Sequence, residues 1–254
     1  AVRRAYPKLL SDEEYNSNRQ AFKRAFQKHK TGMFGMVGAS ILISLAFLTP
    51  FIAPYHPELD IPGLGLQGPG WHQNKDTWMF AVLGTDGVGR DLFSRVLHGA
   101  KISLSIGFVA VFIAVTIGTS LGAIAGYFGG IIDSIIMWVV DFLLAFPRLV
   151  LLLAILGIFA KLDLSGGRKL FLIVIVLATT GWMGIARIVR SQVLSLSQQE
   201  FVQAARSLGF SPLRVLYVHI IPNAFAPVIV YASLAIGSTI LAESSLSFLG
   251  LGVS

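Results

Sequence analysis

Long apolar runs separated by shorter polar stretches dominate the pattern along this chain. Each run lasts about 20 residues, the length that an α-helix needs to cross a bilayer, whereas a membrane β-strand would alternate over roughly 10 residues. The pattern therefore predicts an all-α polytopic membrane helix bundle with five spans in this chain. The predicted spans are Thr31–Ala53, Ile102–Gly126, Ile132–Ala160, Leu170–Arg190 and Asn223–Glu243.

The long connection at residues 54–101 is predicted to be an extramembrane loop. Four prolines lie in its first half, and its indole rings at Trp71 and Trp78 favour the headgroup level of a membrane. With its spans and connections, the region 31–254 forms one predicted membrane domain. Because five spans leave the two chain ends on opposite sides, we expect a sixth span beyond Ser254.

Residues 1–30 precede the first span and are strongly basic, holding eight of the twenty lysines and arginines. Ser11 starts a capping pattern, and Tyr15, Phe22 and Phe26 follow at helical spacing. We expect an amphipathic segment on the membrane surface. A disordered basic tail is the alternative.

Composition strengthens the membrane assignment and excludes an ordinary soluble enzyme. Hydrophobic residues make up 54% of the chain and charged residues 13%, and the mean hydropathy is +0.73. The net charge of +7 is better explained by topology than by nucleic acid, so no nucleic-acid partner is expected. Placing the N-terminus inside puts 12 lysines and arginines on the inner side and 7 on the outer side, which favours a cytoplasmic N-terminus.

No catalytic or metal-binding constellation is visible in the sequence. Cysteine is absent, and the five histidines lack the pairing and spacing of metal ligands. There is no P-loop signature, and the glycine-rich stretch at Gly84–Asp91 follows no predicted strand, so we do not interpret it as a phosphate loop. We expect no cofactor in this chain. If the chain takes part in energy-driven transport, the energy would have to come from a partner protein or an ion gradient.

The segment 191–222 lies between the last two spans and is predicted to form a cytoplasmic helical hairpin. Phe201, Ala205 and Leu208 fall on one helical face, and Gly209 supplies a left-handed stop. A second helix then begins at Pro212 after the cap residue Ser211, and we expect Pro222 to end it before the last span. The apolar face could enter a groove on another protein, or simply pack on the chain's own cytoplasmic ends.

This hairpin resembles the EAA loop of ATP-binding-cassette (ABC) importer permeases. The chain reads QAARSLG followed by HIIP, with Gln203 where the family usually has glutamate. FIAPY, LGTDGVGRDLFSRVLHGAKISL, AGYFGG, DFLLAFP and SSLSFLGLG occur in the order of the dipeptide/oligopeptide permease family. The resemblance covers nearly the whole chain from Phe26 to Gly252.

The resemblance implies a non-enzymatic permease subunit of a peptide importer in the inner membrane of a bacterial cell. A second homologous permease would complete the translocation path, with two cytoplasmic ATPases that use ATP and magnesium, and an extracytoplasmic solute-binding protein. The EAA hairpin would dock in the ATPase. The residues expected to couple the chain to the ATPase are Glu200, Phe201, Gln203, Ala204, Ala205, Leu208, Gly209 and Pro222.

Two further features lie inside the predicted spans. Gly118, Gly122 and Gly126 recur every four residues, a stripe that suits close helix packing better than substrate contact. Asp141 and Arg148 are seven residues apart, and charges at that depth face a bundle interior, a partner or a water-filled path. We assign both to the translocation pathway; the alternative is that they pair with one another or with neighbours for structural reasons. Pro147 predicts a kink between them.

The substrate is not determined by the sequence. Members of the family import dipeptides, oligopeptides, glutathione, nickel or sugars, and the spans hold no cluster of histidine or methionine that would favour nickel. An ion-coupled secondary transporter would show matching repeats, which are absent from the sequence. A membrane scaffold without a path of its own is a third alternative.

Overall fold

The computed structural model describes residues 29–74, 77–159 and 166–252, so the predicted amphipathic segment at the N-terminus lies outside the described residues. The described elements are, in chain order, α1 (Lys30–Ile52), β1 (Gly70–Asn74), β2 (Thr77–Ala81), α2 (Leu92–Phe128), α3 (Gly130–Leu144), α4 (Arg148–Phe159), α5 (Gly166–Leu196), α6 (Glu200–Ser207), α7 (Pro212–Arg214) and α8 (Ile221–Phe248). A π-helical turn, Val215–Ile220, joins α7 to α8. The chain forms two compact units, divided after Lys101.

The all-α membrane fold is confirmed for the spans. Four described stretches are long and apolar enough to cross a membrane: α1, α2, α5 and the continuous helical stretch Pro212–Phe248. The pair α3 and α4 makes a fifth crossing when the two helices are counted together. Apolar side chains cover the outside of these helices, as expected where lipid or another apolar surface replaces water.

The predicted third span is broken rather than merely kinked. Helices α3 and α4 meet at 87° across a break of three residues that ends at Pro147. Proline lacks the amide hydrogen of an ordinary residue and disfavours a helical residue before it, which explains the break. Arg148 is consequently the first residue of a new helix.

In the first unit, a small antiparallel hairpin occupies the long loop, where the sequence analysis expected no strands. Trp71 lies opposite Phe80, and the two rings pack at 5.1 Å. Met79 points to the other face, where it is fully buried against Ile61 and Leu64. The alternation of exposed and buried residues is that of a two-faced strand.

The glycine-rich stretch after β2 is a closed structural turn. One oxygen of the Asp86 carboxylate accepts hydrogen bonds from the backbone N–H groups of Val88 and Arg90, both at 3.0 Å, and Arg95 pairs with the other oxygen. At Gly89, where φ is +87°, a Cβ atom would lie 2.2 Å from the carbonyl oxygen of Ile61, so only glycine fits. Although a strand does precede this stretch, Asp86 already occupies the amides that a phosphate would need.

The second unit is organised around α5. One core cluster joins the C-terminal half of α5 to α2, α6, the π-helical turn and α8, and a second joins the N-terminal half of α5 to α2, α4 and α8. Small side chains permit this density. Ala178, Ala186, Val189 and Val193 of α5 are completely buried.

Candidate functional site

Helix α6 is short and amphipathic, and Gly209 ends the chain's helical run with φ at +75°. This left-handed residue confirms the predicted stop. Val202 and Ala205 are buried in one cluster with Val215 and Ile220 of the π-helical turn. The two arms of the hairpin are therefore packed against each other.

Ala205 does not share an exposed face with its predicted neighbours. Its side chain is 4% exposed, whereas Leu208 is 74% exposed and Phe201 is also exposed. The assignment of Ala205 to an outward docking face is therefore wrong in the isolated chain, because positions 202 and 205 bury the inner stripe of the helix. The alternative of packing on the chain's own elements is correct for this residue.

Large apolar side chains remain exposed on both arms of the hairpin, and we call them the hairpin surface. They are Phe201, Leu208, Leu213, Tyr217 and Val218. Glu200 and Ala204 are exposed on the same helix α6, and Gln203 donates a hydrogen bond from Nε2 to the carbonyl oxygen of Gln198 at 3.1 Å. All five residues of the hairpin surface precede the last span as predicted from the sequence, Asn223–Glu243, and an exposed apolar set outside a span is typical of a protein-binding surface.

The second arm does not end at Pro222. Ser211 and Pro212 begin the arm as expected, although Ser211 forms no capping hydrogen bond through its side chain. The arm then continues through the π-helical turn into α8, and Pro222 lies in the first turn of α8. Proline is tolerated there because its missing amide hydrogen is compatible with the start of a helix. The hairpin arm and the last span are thus one continuous helical rod.

Aromatic contacts hold the hairpin in place. The ring of Phe210 stacks on His219, with centroids 5.9 Å apart, and the guanidinium of Arg214 lies 4.6 Å from the Phe210 centroid. Arg206 of α6 lies 5.1 Å from the ring centroid of Tyr127, near the end of α2. These cation–π contacts tie both arms to fixed neighbours.

The glycine stripe of α2 faces α5 at very close range. A Cβ atom at Gly118 would lie 2.6 Å from the carbonyl oxygen of Trp182, and one at Gly122 would lie 2.4 Å from that of Ala186. At Gly126 the carbonyl oxygen of Arg190 would be 2.8 Å away. The two backbones are in contact along two turns, which only glycine allows.

The charged residues of α3 pair with α5, and not with Arg148. Asp133 receives two hydrogen bonds from Arg190, at 2.5 and 2.6 Å. Asp141 receives one from Arg187 at 2.5 Å, and both side chains are exposed in the isolated chain. Asp141 and Arg148 therefore do not pair with one another, whereas Asp141 does pair with a neighbour, as the alternative to a pathway role allowed.

Arg148 reaches a different group of residues. Its Nη2 donates to Oγ1 of Thr239 on α8 at 3.4 Å, and its Nε is buried without a hydrogen-bond partner in the described part of the chain. One turn further along α8, Glu243 is 5% exposed. Its carboxylate accepts hydrogen bonds from the hydroxyls of Ser103, at 3.1 Å, and Ser247, at 2.8 Å.

Glu243 and the arginines of α5 were missed by the sequence analysis. Ser247 follows Glu243 by four residues, and this spacing on one helical face could have indicated a shielded carboxylate. Ser103 lies 140 residues away, so nothing local could have indicated it. Among the described residues, no three histidine, aspartate or glutamate side chains gather closely enough to hold a metal ion.

Family models match two parts of the chain. A family model described as the binding-protein-dependent transport system inner membrane component matches residues 118–254. Another, described as the N-terminal TM domain of oligopeptide transport permease C, matches residues 17–69.

Curated relatives match over most of the chain. The dipeptide transport system permease protein of Alkalihalophilus pseudofirmus is 38% identical over 92% of this chain and 72% of its own. The oligopeptide transport system permease protein of Bacillus subtilis is 38% identical over 91% and 72%, respectively. The glutathione transport system permease protein of Shigella dysenteriae serotype 1 is 37% identical over 99% and 78%. The chain is thus a transport permease of the ABC type, and it belongs to the family of binding-protein-dependent transport system inner membrane components.

Proposed function

We propose that this permease imports di- and oligopeptides together with a second, homologous permease. The proposal is supported by the names of the dipeptide and oligopeptide relatives and by charged side chains that α3, α4 and α8 carry within their apolar surroundings. A separate solute-binding protein would deliver the peptide to the outer side. The loop at residues 54–101 would then be extracytoplasmic, and the membrane would be the bacterial inner membrane.

The observation that carries the coupling proposal is the hairpin surface. Its apolar side chains are exposed and precede the predicted last span, Asn223–Glu243, on a segment that we place in the cytoplasm together with the N-terminus. Two ATPase subunits, which bind ATP and magnesium, would bind this surface, with one ATPase on each permease. The hairpin 191–222 is then the coupling segment.

The packing of the hairpin suggests how force would reach the spans. Val202 and Ala205 share a core cluster with Val189 and Val193 of α5, and with Ile220 at the end of the π-helical turn. Close-packed cores shift as units and compress little. Movement of α6 by a closing ATPase pair would therefore displace α5 and α8 together and alternate access to the path.

The paired charges of α3 and α5 would lie beside this path or against the second permease. An exposed ion pair such as Asp141 with Arg187 is poorly solvated by lipid tails, so water or protein is the better neighbour. Asp141 and Arg148 both remain pathway candidates, in different surroundings. Lipid would cover the apolar outer faces of the helices.

The coupling proposal is tested by Leu208→Asp in the purified complex. An uncompensated carboxylate buried in the ATPase groove costs several kcal/mol, enough to release the ATPase. Leu66→Asp is the matched control, since Leu66 is 81% exposed in the loop of the first unit and its φ of +55° suits aspartate. We expect Leu208→Asp to lose ATPase on purification while keeping the second permease, and Leu66→Asp to keep both.

A third variant separates docking from folding. Ala205→Asp places a carboxylate in the chain's own core, so it should lower the yield of folded protein, which Leu208→Asp should not. If the Leu208→Asp complex still purifies with a stoichiometric amount of the ATPase subunits and keeps peptide-stimulated ATP hydrolysis, the hairpin surface is not the docking site.

Glutathione import is the second candidate function, because a glutathione permease matches this chain over 99% of its length. Uptake of radiolabelled trialanine and glutathione by the same reconstituted complex, each in competition with the other, distinguishes the two. A peptide importer would show trialanine uptake that excess glutathione does not reduce.

A further inference from the structure

Charged groups inside the predicted spans of the second unit are matched, with one exception among the described residues. Asp133 pairs with Arg190, and Asp141 pairs with Arg187. Each of the two carboxylate oxygens of Glu243 accepts a hydrogen bond from a serine hydroxyl. Arg148 is the exception, since no carboxylate of the described residues lies within 4.0 Å of it.

The guanidinium of Arg148 has unused capacity. It carries five N–H donors in a planar fork, and one contact, to Thr239, is formed with a neutral hydroxyl at the long distance of 3.4 Å. Its Nε hydrogen is buried without an acceptor among the residues that the structure describes. Glu243 does not supply one, because its oxygens lie beyond 4.0 Å from the guanidinium nitrogens and accept from serines instead.

The position of Arg148 is unusual as well. It is the first residue of α4, at the 87° break. The 15 residues of α3 rise about 22 Å, so the break lies well within a hydrocarbon layer about 30 Å thick if α3 begins at its edge. Broken helices at such depth line substrate sites in transporters because the backbone there needs polar surroundings.

Three helices surround the guanidinium. Thr239 belongs to α8, and a Cβ atom at Gly181 of α5 would lie 4.0 Å from Nη2 of Arg148. The guanidinium therefore lies among α4, α5 and α8, with its Nε buried, while Arg148 as a whole residue is partly exposed in the isolated chain. An unpaired cation at this depth requires an anion or water.

From this geometry, and resting on the proposed function, we infer that Arg148 binds the carboxylate of the transported peptide during passage. A free peptide always brings a carboxylate at its C-terminus, and the planar fork of arginine matches a carboxylate with two parallel hydrogen bonds. Thr239 holds the guanidinium toward the path. Arg148 is thus a specificity-determining residue for cargo that ends in a carboxylate.

The test compares two cargoes in the complete reconstituted importer, with binding protein and ATPases present. Initial ATP-dependent uptake of trialanine and of trialanine amide is measured for the wild type, Arg148→Gln, Arg148→Lys and the control Arg168→Gln, whose arginine is exposed in the first turn of α5. We expect Arg148→Gln to lower trialanine uptake about tenfold or more and amide uptake by less than about twofold. Arg148→Lys should retain part of the uptake, and Arg168→Gln should match the wild type.

Other outcomes overturn the inference in distinguishable ways. Equal loss of both cargoes, or loss of neither, contradicts a cargo contact. Loss of the second permease on purification of Arg148→Gln would assign Arg148 to that interface instead. If the wild type takes up neither peptide, the proposed peptide function itself fails.

A second measurement covers the case in which the binding protein rejects the amide. The chain has no cysteine, so Arg148→Cys can be modified selectively when the partner subunits are also cysteine-free. An aminoethyl methanethiosulfonate reagent, which restores a positive charge, should recover trialanine uptake, and the neutral methyl reagent should not. Equal results with both reagents would overturn the inference.

Discussion

At the scale of single residues, the side chain of Gly122 is one hydrogen atom, and this small size determines how closely α2 and α5 approach. Replacing Gly122 by valine would push against the backbone of Ala186 and separate α2 from α5. Overpacking of this kind costs roughly 1–3 kcal/mol. We expect a clearly lower thermal unfolding temperature, measured by fluorescence-detected size-exclusion chromatography.

Gly157 provides the matched control for that substitution. It lies in α4, and a Cβ atom added there would have no described atom within 4 Å, so Gly157→Ala should be neutral or slightly stabilising. Gly122→Val with an unchanged unfolding temperature would mean that the two helices are not in backbone contact.

Asp86 is a second residue with a large local effect. Burial raises the pKa of its carboxyl, but hydrogen bonds from the backbone of Arg90 and Val88 and the charge of Arg95 outweigh this, so the pKa lies below its ordinary value of 3.8. A lowered folded-state pKa means that the carboxylate stabilises the turn at every pH above about 4. This stabilisation is lost as the pH falls through the folded-state pKa.

The pH dependence should be visible in limited proteolysis of the loop between α1 and α2. The wild type is expected to resist cleavage at pH 6 and to become sensitive as the pH falls below about 4. Asp86→Asn should be more sensitive at pH 6 and change less with pH. Identical profiles for the two proteins would contradict this role of Asp86.

At the scale of elements, the direction of α6 is fixed by Gly209. No described side chain would contact a Cβ atom there, so only the backbone conformation opposes a larger residue. Valine resists a left-handed conformation at a cost of order 1–3 kcal/mol, whereas asparagine adopts it readily. We expect Gly209→Val to uncouple ATP hydrolysis from peptide uptake and Gly209→Asn to retain coupling.

Insertion into the membrane provides an internal check on Gly209→Val and Gly209→Asn. Both changes lie outside the spans, so both proteins should reach the membrane and bind the second permease. Equal coupling in the two variants would show that the angle between α6 and the following arm does not matter for transport.

At the scale of the whole molecule, the bent pair α3 and α4 determines whether the chain crosses the membrane five times. Because the chain is free of cysteine, Phe128→Cys and Arg168→Cys can be labelled with an impermeant maleimide in intact cells and in inverted vesicles. We expect Phe128→Cys to react from the cytoplasmic side and Arg168→Cys from the outside. Reaction of both from one side would make the pair a re-entrant loop.

Sequence periodicity was sufficient for the spans and insufficient for side-chain partners. Apolar runs and Gly209 are local signals, so the helices and the stop in the hairpin could be predicted from them. The two strands β1 and β2 of the first unit were missed because they are short and are surrounded by prolines and glycines. The partners of Asp141 and Arg148 could not be predicted, since they depend on which helices lie side by side.

The buried position of Ala205 illustrates the same limit. Its spacing placed it with Phe201 and Leu208, but a helix of eight residues presents several possible stripes. Val202, one position after Phe201, takes the inner stripe because the π-helical turn and α5 lie on that side. Tertiary contacts selected the face.

The π-helical turn at Val215–Ile220 has a consequence for chain length. A π-helical turn contains one residue more than the same stretch of α-helix, so deleting one residue would restore ordinary α-helical bonding. The segments on either side would then keep nearly the same relative orientation, because the extra residue is accommodated within the π-helical turn itself. The hairpin surface would keep its direction after a one-residue deletion at this turn, whereas the same deletion in an ordinary α-helix would rotate everything before it by about 100° around the axis of the last span.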